Sequence, residues 1–340
     1  MEKQNIYFAW IKFQRRAVSM QSYFDYNCKH ITSCFKNKYF RVLDYIIKSI
    51  KTFVILCKEK PKTVWIQLPP IFLLNLLLFY KKYFNKEVII ISDCHNGVFF
   101  GKWKKYFDPD LLNKSDIIVV HNTVIRGIAI DMGLNAEKTI ILEDKPAEKN
   151  IDTPLPKKES KYTSQVLMPC GFSKDEPLEV VFEAARQIPD IHILISGPKE
   201  RGISLFDYNK IPDNVSLIGF LPLEEYEIVF RQSDLIMGLT TEDHIQLSVA
   251  NEATGLEMPM VLSDTQLLRD MFYKGAVYVE TLDADSITNG IKKALNDIDR
   301  LQNEVRILKI ERNEKWCKMA MQVLEKINGK ECKNENENSN

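Results

Sequence analysis

Short apolar runs of four to six residues, bounded by polar and turn-forming positions, recur along this chain and alternate with stretches whose apolar residues fall at helical spacing. In the first part, Ile6–Trp10, Thr63–Leu68, Val88–Ser92, Ile117–His121 and Thr139–Leu142 predict strands. A second series follows: Ser164–Pro169, Ile191–Ser196, Val215–Ile218, Leu235–Leu239, Met260–Ser263 and Val277–Glu280. Strands that alternate with helices build a parallel sheet covered on both faces, so the pattern predicts an α/β chain with two tandem Rossmann-like domains and a cleft between them. The intervening IDTPLPKKESKYTS is rich in Pro, Lys and Ser and has no apolar period. The expected organisation is a first domain over 1–150, a linker over 151–163, a second domain over 164–300 and a long terminal helix over 301–328. The tail 329–340, GKECKNENENSN, is expected to be disordered because it is too polar to fold.

Composition narrows the function classes. With 340 residues, 45% hydrophobic and 27% charged, the chain is globular and long enough for two cores. The formal net charge of zero conceals a split: residues 1–150 hold 24 Lys+Arg against 14 Asp+Glu, and the remainder is acidic by the same margin. A basic first half favours an anionic partner. Nucleic acid is not favoured, because zinc-finger, basic-zipper and aromatic RNA-binding signatures are missing. Seven cysteines, odd in number and without a CxxC pair, point to a reducing setting and to neither a disulfide framework nor a zinc site. The opening MEKQNIYFAW leads straight into a strand without an apolar leader, which also fits the cytoplasm. The strongest apolar run, Ile71–Tyr80, is too short to span a bilayer. A buried helix is the preferred reading. The alternative is peripheral docking on the inner membrane face, since Lys81, Lys82 and Lys86 follow at once. Neither half carries G-x-G-x-x-G, which argues against a nicotinamide enzyme.

The segment SDLIMGLTTEDHIQLSVANEATGLEMPMVLSD, residues 233–264, reads as strand, polar loop, helix start and second strand. Such a helix start offers backbone N–H groups and the positive end of its dipole to an anion. Glu252 falls one to two turns into the helix, within reach of hydroxyls on a ligand whose phosphates sit at the helix start. The segment resembles the donor-nucleotide site of glycosyltransferases with the two-domain GT-B fold, the nucleotide-sugar enzymes of bacterial polysaccharide synthesis. Their pattern is Glu-x7-Glu followed by Ala and Gly-x-Pro. Glu252, Ala253 and Pro259 match its second half, whereas His244 stands in place of the first Glu, and Glu257 in place of the Gly. PCGFSKDEP (169–177), HILISGPKERG (192–202) and VSLIGFLPLEEYEIVFRQSDL (215–235) are similar, in order, to the family stretches before that loop.

The resemblance implies a donor site formed by Gly171, Ser173, Lys174, Thr241, His244, Gln246, Ser248 and Glu252, with Glu252 on the ribose. It also implies that the terminal helix crosses back onto the first domain. In the first half, ISDCHNGVFFGKW (91–103) sets Asp93 and His95 at the carboxyl end of a strand, where a cleft residue must stand. Transfer with inversion needs one base to take the acceptor hydroxyl proton, and Asp93 and His95 are the catalytic candidates. Arg15, Arg16 and Asn96 are candidates for acceptor contacts, the arginines through phosphate or carboxylate. His121 reads as a satisfied loop histidine. No DxD pair stands on a strand-end loop near the donor segment, so the expected cofactors are none: no metal is required, and the nucleotide sugar is a co-substrate.

The expectation is therefore a cytoplasmic hexosyltransferase, peripheral to the membrane, that uses a UDP sugar and a saccharide or lipid-linked acceptor, with inversion favoured over retention. The alternatives are a nucleotide-sugar 2-epimerase of the same fold and a catalytically degenerate relative that binds a partner or a membrane.

Overall fold

The computed structural model describes residues 5–35, 38–147, 155, 160–204 and 206–338. It divides into two compact units, Met1–Lys145 with Lys315–Asn340, and Pro146–Glu314. Most of the linker expected over 151–163 lies outside the described residues.

In the first unit β1 (Asn5–Ala9), α1 (Arg15–Phe24), β2 (Tyr26–His30), α2 (Arg41–Glu59), β3 (Thr63–Leu68), α3 (Phe72–Tyr83) and β4 (Ile89–Cys94) follow one another. A short α4 (Pro109–Leu112), β5 (Ile117–Val120), α5 (Thr123–Asp131) and β6 (Thr139–Ile141) complete it. All six strands are parallel, in the order β2-β1-β3-β4-β5-β6. Alternation along each strand divides the core between the two faces of the sheet: Ile6 and Phe8 pack into one cluster, Tyr7 and Ala9 into the other. The central β4 and β5 are buried throughout, as strands covered on both faces require. The edge strand β2, YNCKH, lacks the apolar alternation that marked the others, and its backbone pairing with β1 makes it a strand.

The second unit runs β7 (Ser164–Pro169), α6 (Leu178–Arg186), β8 (Ile191–Ser196), β9 (Val215–Gly219), α7 (Leu223–Gln232), β10 (Leu235–Gly238) and α8 (Ser248–Gly255). It continues with β11 (Met260–Ser263), α9 (Gln266–Met271), β12 (Ala276–Val279), α10 (Ala284–Asn296) and the start of α11 (Ile298–Asn338). Its strands are parallel in the order β12-β11-β10-β7-β8-β9, a doubly wound sheet whose order reverses between β7 and β10. Loops following the two strands at such a reversal are where ligands bind in open α/β sheets.

Two expectations are corrected here. The apolar run at 71–80 is a core helix, with Leu73, Leu74, Leu77 and Tyr80 buried, and among the described residues no helix is long and apolar enough to cross a membrane. The tail expected to be disordered from residue 329 continues α11 to Asn338. That stretch has no proline, and an established helix extends by one hydrogen bond per residue fixed, without a new nucleation cost. From Lys315 onward α11 belongs to the first unit, where Trp316 is buried against Tyr23 and Phe24 and donates from Nε1 to the Glu143 carbonyl at 3.0 Å.

Candidate functional site

In the first unit, the carboxyl ends of β1, β4, β5 and β6 bring together one charged cluster. Asp93 is the penultimate residue of β4 and has no exposed surface. Its carboxylate accepts from Tyr7 Oη at 2.7 Å and from Arg16 Nε at 3.1 Å. His121 Nε2, just past β5, lies 3.2 Å from its other oxygen, a hydrogen bond when that nitrogen carries the proton. Arg16 is itself buried; its other nitrogens donate to Asp144 at 2.7 Å and to the Leu142 carbonyl at 2.7 Å. Burial alone would raise the Asp93 carboxyl, but the Arg16 charge and the His121 hydrogen bond outweigh it and hold the group well below the usual carboxylate range. Asp144 is lowered in the same way, against its burial, chiefly by Arg16.

His95 follows β4. Its ring meets the His121 ring edge to face with centroids 4.4 Å apart, and its Nε2 lies 3.8 Å from Asp93 and 3.4 Å from the Gln14 amide nitrogen. Burial, with the neighbouring His121 and against the pull of Asp93, pushes the imidazole down to about 3, so it is neutral near pH 7. Its side chain is 22% exposed, against 11% for His121 and none for Asp93. The cluster thus contains one charged, saturated carboxylate and one neutral imidazole with access to solvent. Arg15 heads α1 half-buried, and Asn96 opens the turn after His95, also half-buried.

Arg16 corrects the sequence expectation. It was a candidate for phosphate, yet its guanidinium is spent on Asp93, Asp144 and a carbonyl, because a buried cation has to be neutralised by its own fold. Asp93 as a proton acceptor meets a similar objection, since its low pKa and three donors leave it a poor base.

In the second unit, the loops after β7 and β10 are tied to each other. Thr240 Oγ1 donates to Asp175 Oδ2 at 2.9 Å, and Thr241 N to the Asp175 carbonyl at 2.9 Å. Thr241 is exposed, and His244 Nδ1 lies 3.6 Å from Glu242. Ser248 opens α8, whose N-cap position, Leu247, supplies no side-chain hydrogen bond to the first turn. The Gln246 side chain has both its amide nitrogen and its oxygen buried without a hydrogen-bond partner among the described residues. Groups in that state cost free energy unless a ligand or water satisfies them. Glu252 lies in the second turn of α8, 8% exposed, and accepts from Tyr226 Oη at 3.0 Å. In the β7 loop, Lys174 is exposed, whereas the backbone N–H groups of Gly171 and Ser173, expected to face phosphate, both donate to Glu176 at 2.9 and 2.8 Å. An internal carboxylate therefore occupies this pair of donors.

The glycosyl transferases group 1 family model matches residues 155–307, the span that holds these loops. Among solved structures, Anabaena HepE in complex with UDP and glucose is similar over 96% of this chain and 100% of its own, with a TM-score of 0.71 and 11% identity. Sucrose-phosphate synthase from Thermosynechococcus elongatus is similar over 88% and 82%, with a TM-score of 0.65 and 14% identity. A glycosyltransferase from Rickettsia africae is similar over 97% and 99%, with a TM-score of 0.64 and 15% identity. No curated protein matches in sequence. The chain is a GT-B glycosyltransferase.

Within this glycosyltransferase, Asp93, His95 and His121 have ligand atoms within 4.8 Å of one another, close enough to consider a metal ion. Arg16 on the same carboxylate opposes a second cation there, so the cluster fits a proton-handling role better than a metal centre. Tyr7, Gln14 and Asp144 were missed, and His121 was set aside. The parallel register of β4 on β5, with Cys94 beside Val120, sets His121 next to His95, but that register is a property of the folded sheet. On the donor side Tyr226 and Asp175 were missed for the same reason: they lie 26 and 65 residues from their partners.

Proposed function

We propose that this glycosyltransferase moves a hexose from a nucleoside-diphosphate sugar, UDP favoured, to a saccharide or lipid-linked saccharide acceptor in the assembly of cell-surface polysaccharide. The observation that carries the reading is the start of α8 inside the family-matched span, where an uncapped first turn, a buried unpartnered Gln246 and a half-covered Glu252 cluster. Glu252 takes the ribose hydroxyls. The α8 N-terminus with Ser248, together with Lys174, Thr241, His244 and Gln246, takes the diphosphate and the sugar. The UDP in the Anabaena neighbour supports the choice of nucleotide. Gly171 and Ser173 join this set once the diphosphate displaces Glu176.

In this reading His95 is the base. Its imidazole accepts the acceptor hydroxyl proton as that oxygen bonds to the anomeric carbon; the bond from carbon to phosphate oxygen breaks, and its electron pair leaves with the diphosphate. The anomeric configuration inverts. Asp93 and Arg16 are positioning residues that hold His121 and, through it, the His95 ring. Arg15 and Asn96 contact the acceptor. The helix dipole, Lys174 and His244 stabilise the leaving charge, and no metal ion enters the scheme.

Thermal-shift binding against UDP, GDP, CDP and ADP tests the donor reading. One nucleotide at a hundredfold excess over its Kd should stabilise the protein by about 2.7 kcal/mol, and Glu252→Ala should abolish the shift. A folded protein that responds to none of them would refute it. The anomeric configuration of the product, read by NMR, decides between inversion and retention.

A further inference from the structure

Helix α2 is built inside out. Its inward face carries Asp44, Lys48, Thr52 and Leu56, four residues apart. Its outward face carries Val42, Ile46, Ile50 and Val54, also four apart, at 73, 50, 59 and 58% exposure. The inward polar groups are engaged. Lys48 Nζ lies 3.2 Å from Asp44 and donates to the Trp10 carbonyl and to Ser33 Oγ. Trp10 Nε1 donates to Thr52 at 3.0 Å, and Cys34 N to Asp44 at 2.7 Å. A helix on the surface of a water-soluble unit normally has the opposite arrangement, with its apolar stripe on the core. Here a polar network seats the helix and the aliphatic stripe is left outside.

The outward apolar surface continues onto the end of α3. Phe53 packs against Phe79 and Phe84 with centroids 6.1 and 5.0 Å apart, and Phe79, Tyr83 and Phe84 are at least half exposed. The rim is basic: Arg41, Lys51, Lys58, Lys82 and Lys86 are exposed, whereas Glu59 is paired with Lys29 at 2.9 Å. A contiguous apolar patch of this kind marks a surface that meets another apolar phase, and its cationic border selects an anionic one.

We propose that the outward face of α2, with the aromatic end of α3, docks this protein on a membrane surface rich in anionic lipid. The aliphatic stripe enters the acyl boundary, Tyr83 and the phenylalanines lie at headgroup depth, and the lysines reach lipid phosphates. A second copy of the chain is the poorer occupant, because pairing this face with itself brings two basic rims together. The surface lies on elements that contribute nothing to the donor segment, so the inference stands apart from the sugar-transfer reading.

The test is flotation of the full chain with vesicles of phosphatidylcholine alone and of phosphatidylcholine with phosphatidylglycerol. Wild type should float with the anionic vesicles only, and added salt should weaken this. Ile46→Ser with Ile50→Ser should lower partitioning by about tenfold or more, given the apolar area removed. Circular dichroism and the nucleotide thermal shift report separately that this variant is folded and that the donor site is as before. Equal flotation of variant and wild type, or no flotation of wild type with either vesicle, overturns the proposal. A wild-type dimer in light scattering that the variant dissolves also overturns it and gives the face to a second copy.

Discussion

With Arg16 on one side and Tyr7 and His121 on the other, the Asp93 carboxylate makes every contact inside the protein, so its replacement is a problem of charge before it is one of catalysis. Asp93→Asn leaves the buried Arg16 with Asp144 as its remaining carboxylate partner. Loss of one member of a buried pair costs about 3–5 kcal/mol, so urea unfolding should show a loss of this order; a loss under about 1 kcal/mol would mean that Arg16 is compensated elsewhere. The same cluster fixes a pH dependence. His95, at about 3 when folded, lies below the ordinary histidine value, so on acidification the unfolded chain takes up a proton before the folded one does. Stability therefore falls as pH drops from the ordinary histidine range towards 3. Asp93, also lowered, adds a loss in the same direction below the ordinary carboxylate range. Between pH 7 and pH 5 the His95 share should be on the order of 1–2 kcal/mol, and His95→Gln should remove it. Denaturant midpoints at the two pH values measure the difference, and an unchanged slope in the variant would show that other groups carry it.

At the level of elements, α8 ends in a Schellman turn: Met258 N donates to the Ala253 carbonyl at 2.8 Å and Glu257 N to the Thr254 carbonyl at 3.2 Å. Glu257 takes the left-handed position at φ 60°, where the family pattern has glycine. Two cations hold it there, Lys309 at 2.9 Å and Arg306 at 3.2 Å, and against its partial burial they lower its carboxyl. Gly255 is not the displaced turn residue: a Cβ there would lie 2.2 Å from the Ala147 carbonyl oxygen, so its task is close approach. Glu257→Gly removes backbone strain of about 1 kcal/mol and loses the ion pairs, leaving stability nearly unchanged. Glu257→Ala keeps the strain and loses the pairs. The glycine variant should therefore be more stable than the alanine variant by about 1 kcal/mol, and thermal unfolding that ranks them the other way would contradict this account of the turn.

For the whole molecule, the division of the chain has a consequence for fragments. The second unit is continuous, 146–314, and closes its own core with Leu301, Val305 and Leu308 from the first part of α11. The first unit is not continuous; Trp316, Ala320, Val323 and Ile327 fill one face of its sheet. Residues 146–314 expressed alone should unfold cooperatively and keep the nucleotide-dependent shift, whereas 1–145 alone should expose that face and bind an apolar dye. A fragment 146–314 that stays unfolded would show that the units depend on one another for folding.

The alternation of apolar strands with helical stretches was enough to announce two doubly wound domains, because strands buried on both faces must be continuously apolar and parallel strands need a crossover between them. Local chemistry also announced Asp93, His95, Gln246 and Glu252 as candidates, since strand ends and helix starts are legible as short patterns. Edge strand β2 was not legible, because its residues take their state from β1. Nor could any local pattern say that Arg16 is consumed by Asp93 and Asp144, partners 77 and 128 residues away, or that Tyr7 and His121 complete the cluster. The outward aliphatic stripe of α2 belongs to the same class: periodicity shows that a helix has two faces, but only the packed unit shows which of them is turned to the core. Sequence fixes what a side chain can do within a few residues of itself, and contacts that span many residues are decided when strand order and register bring distant loops to one edge.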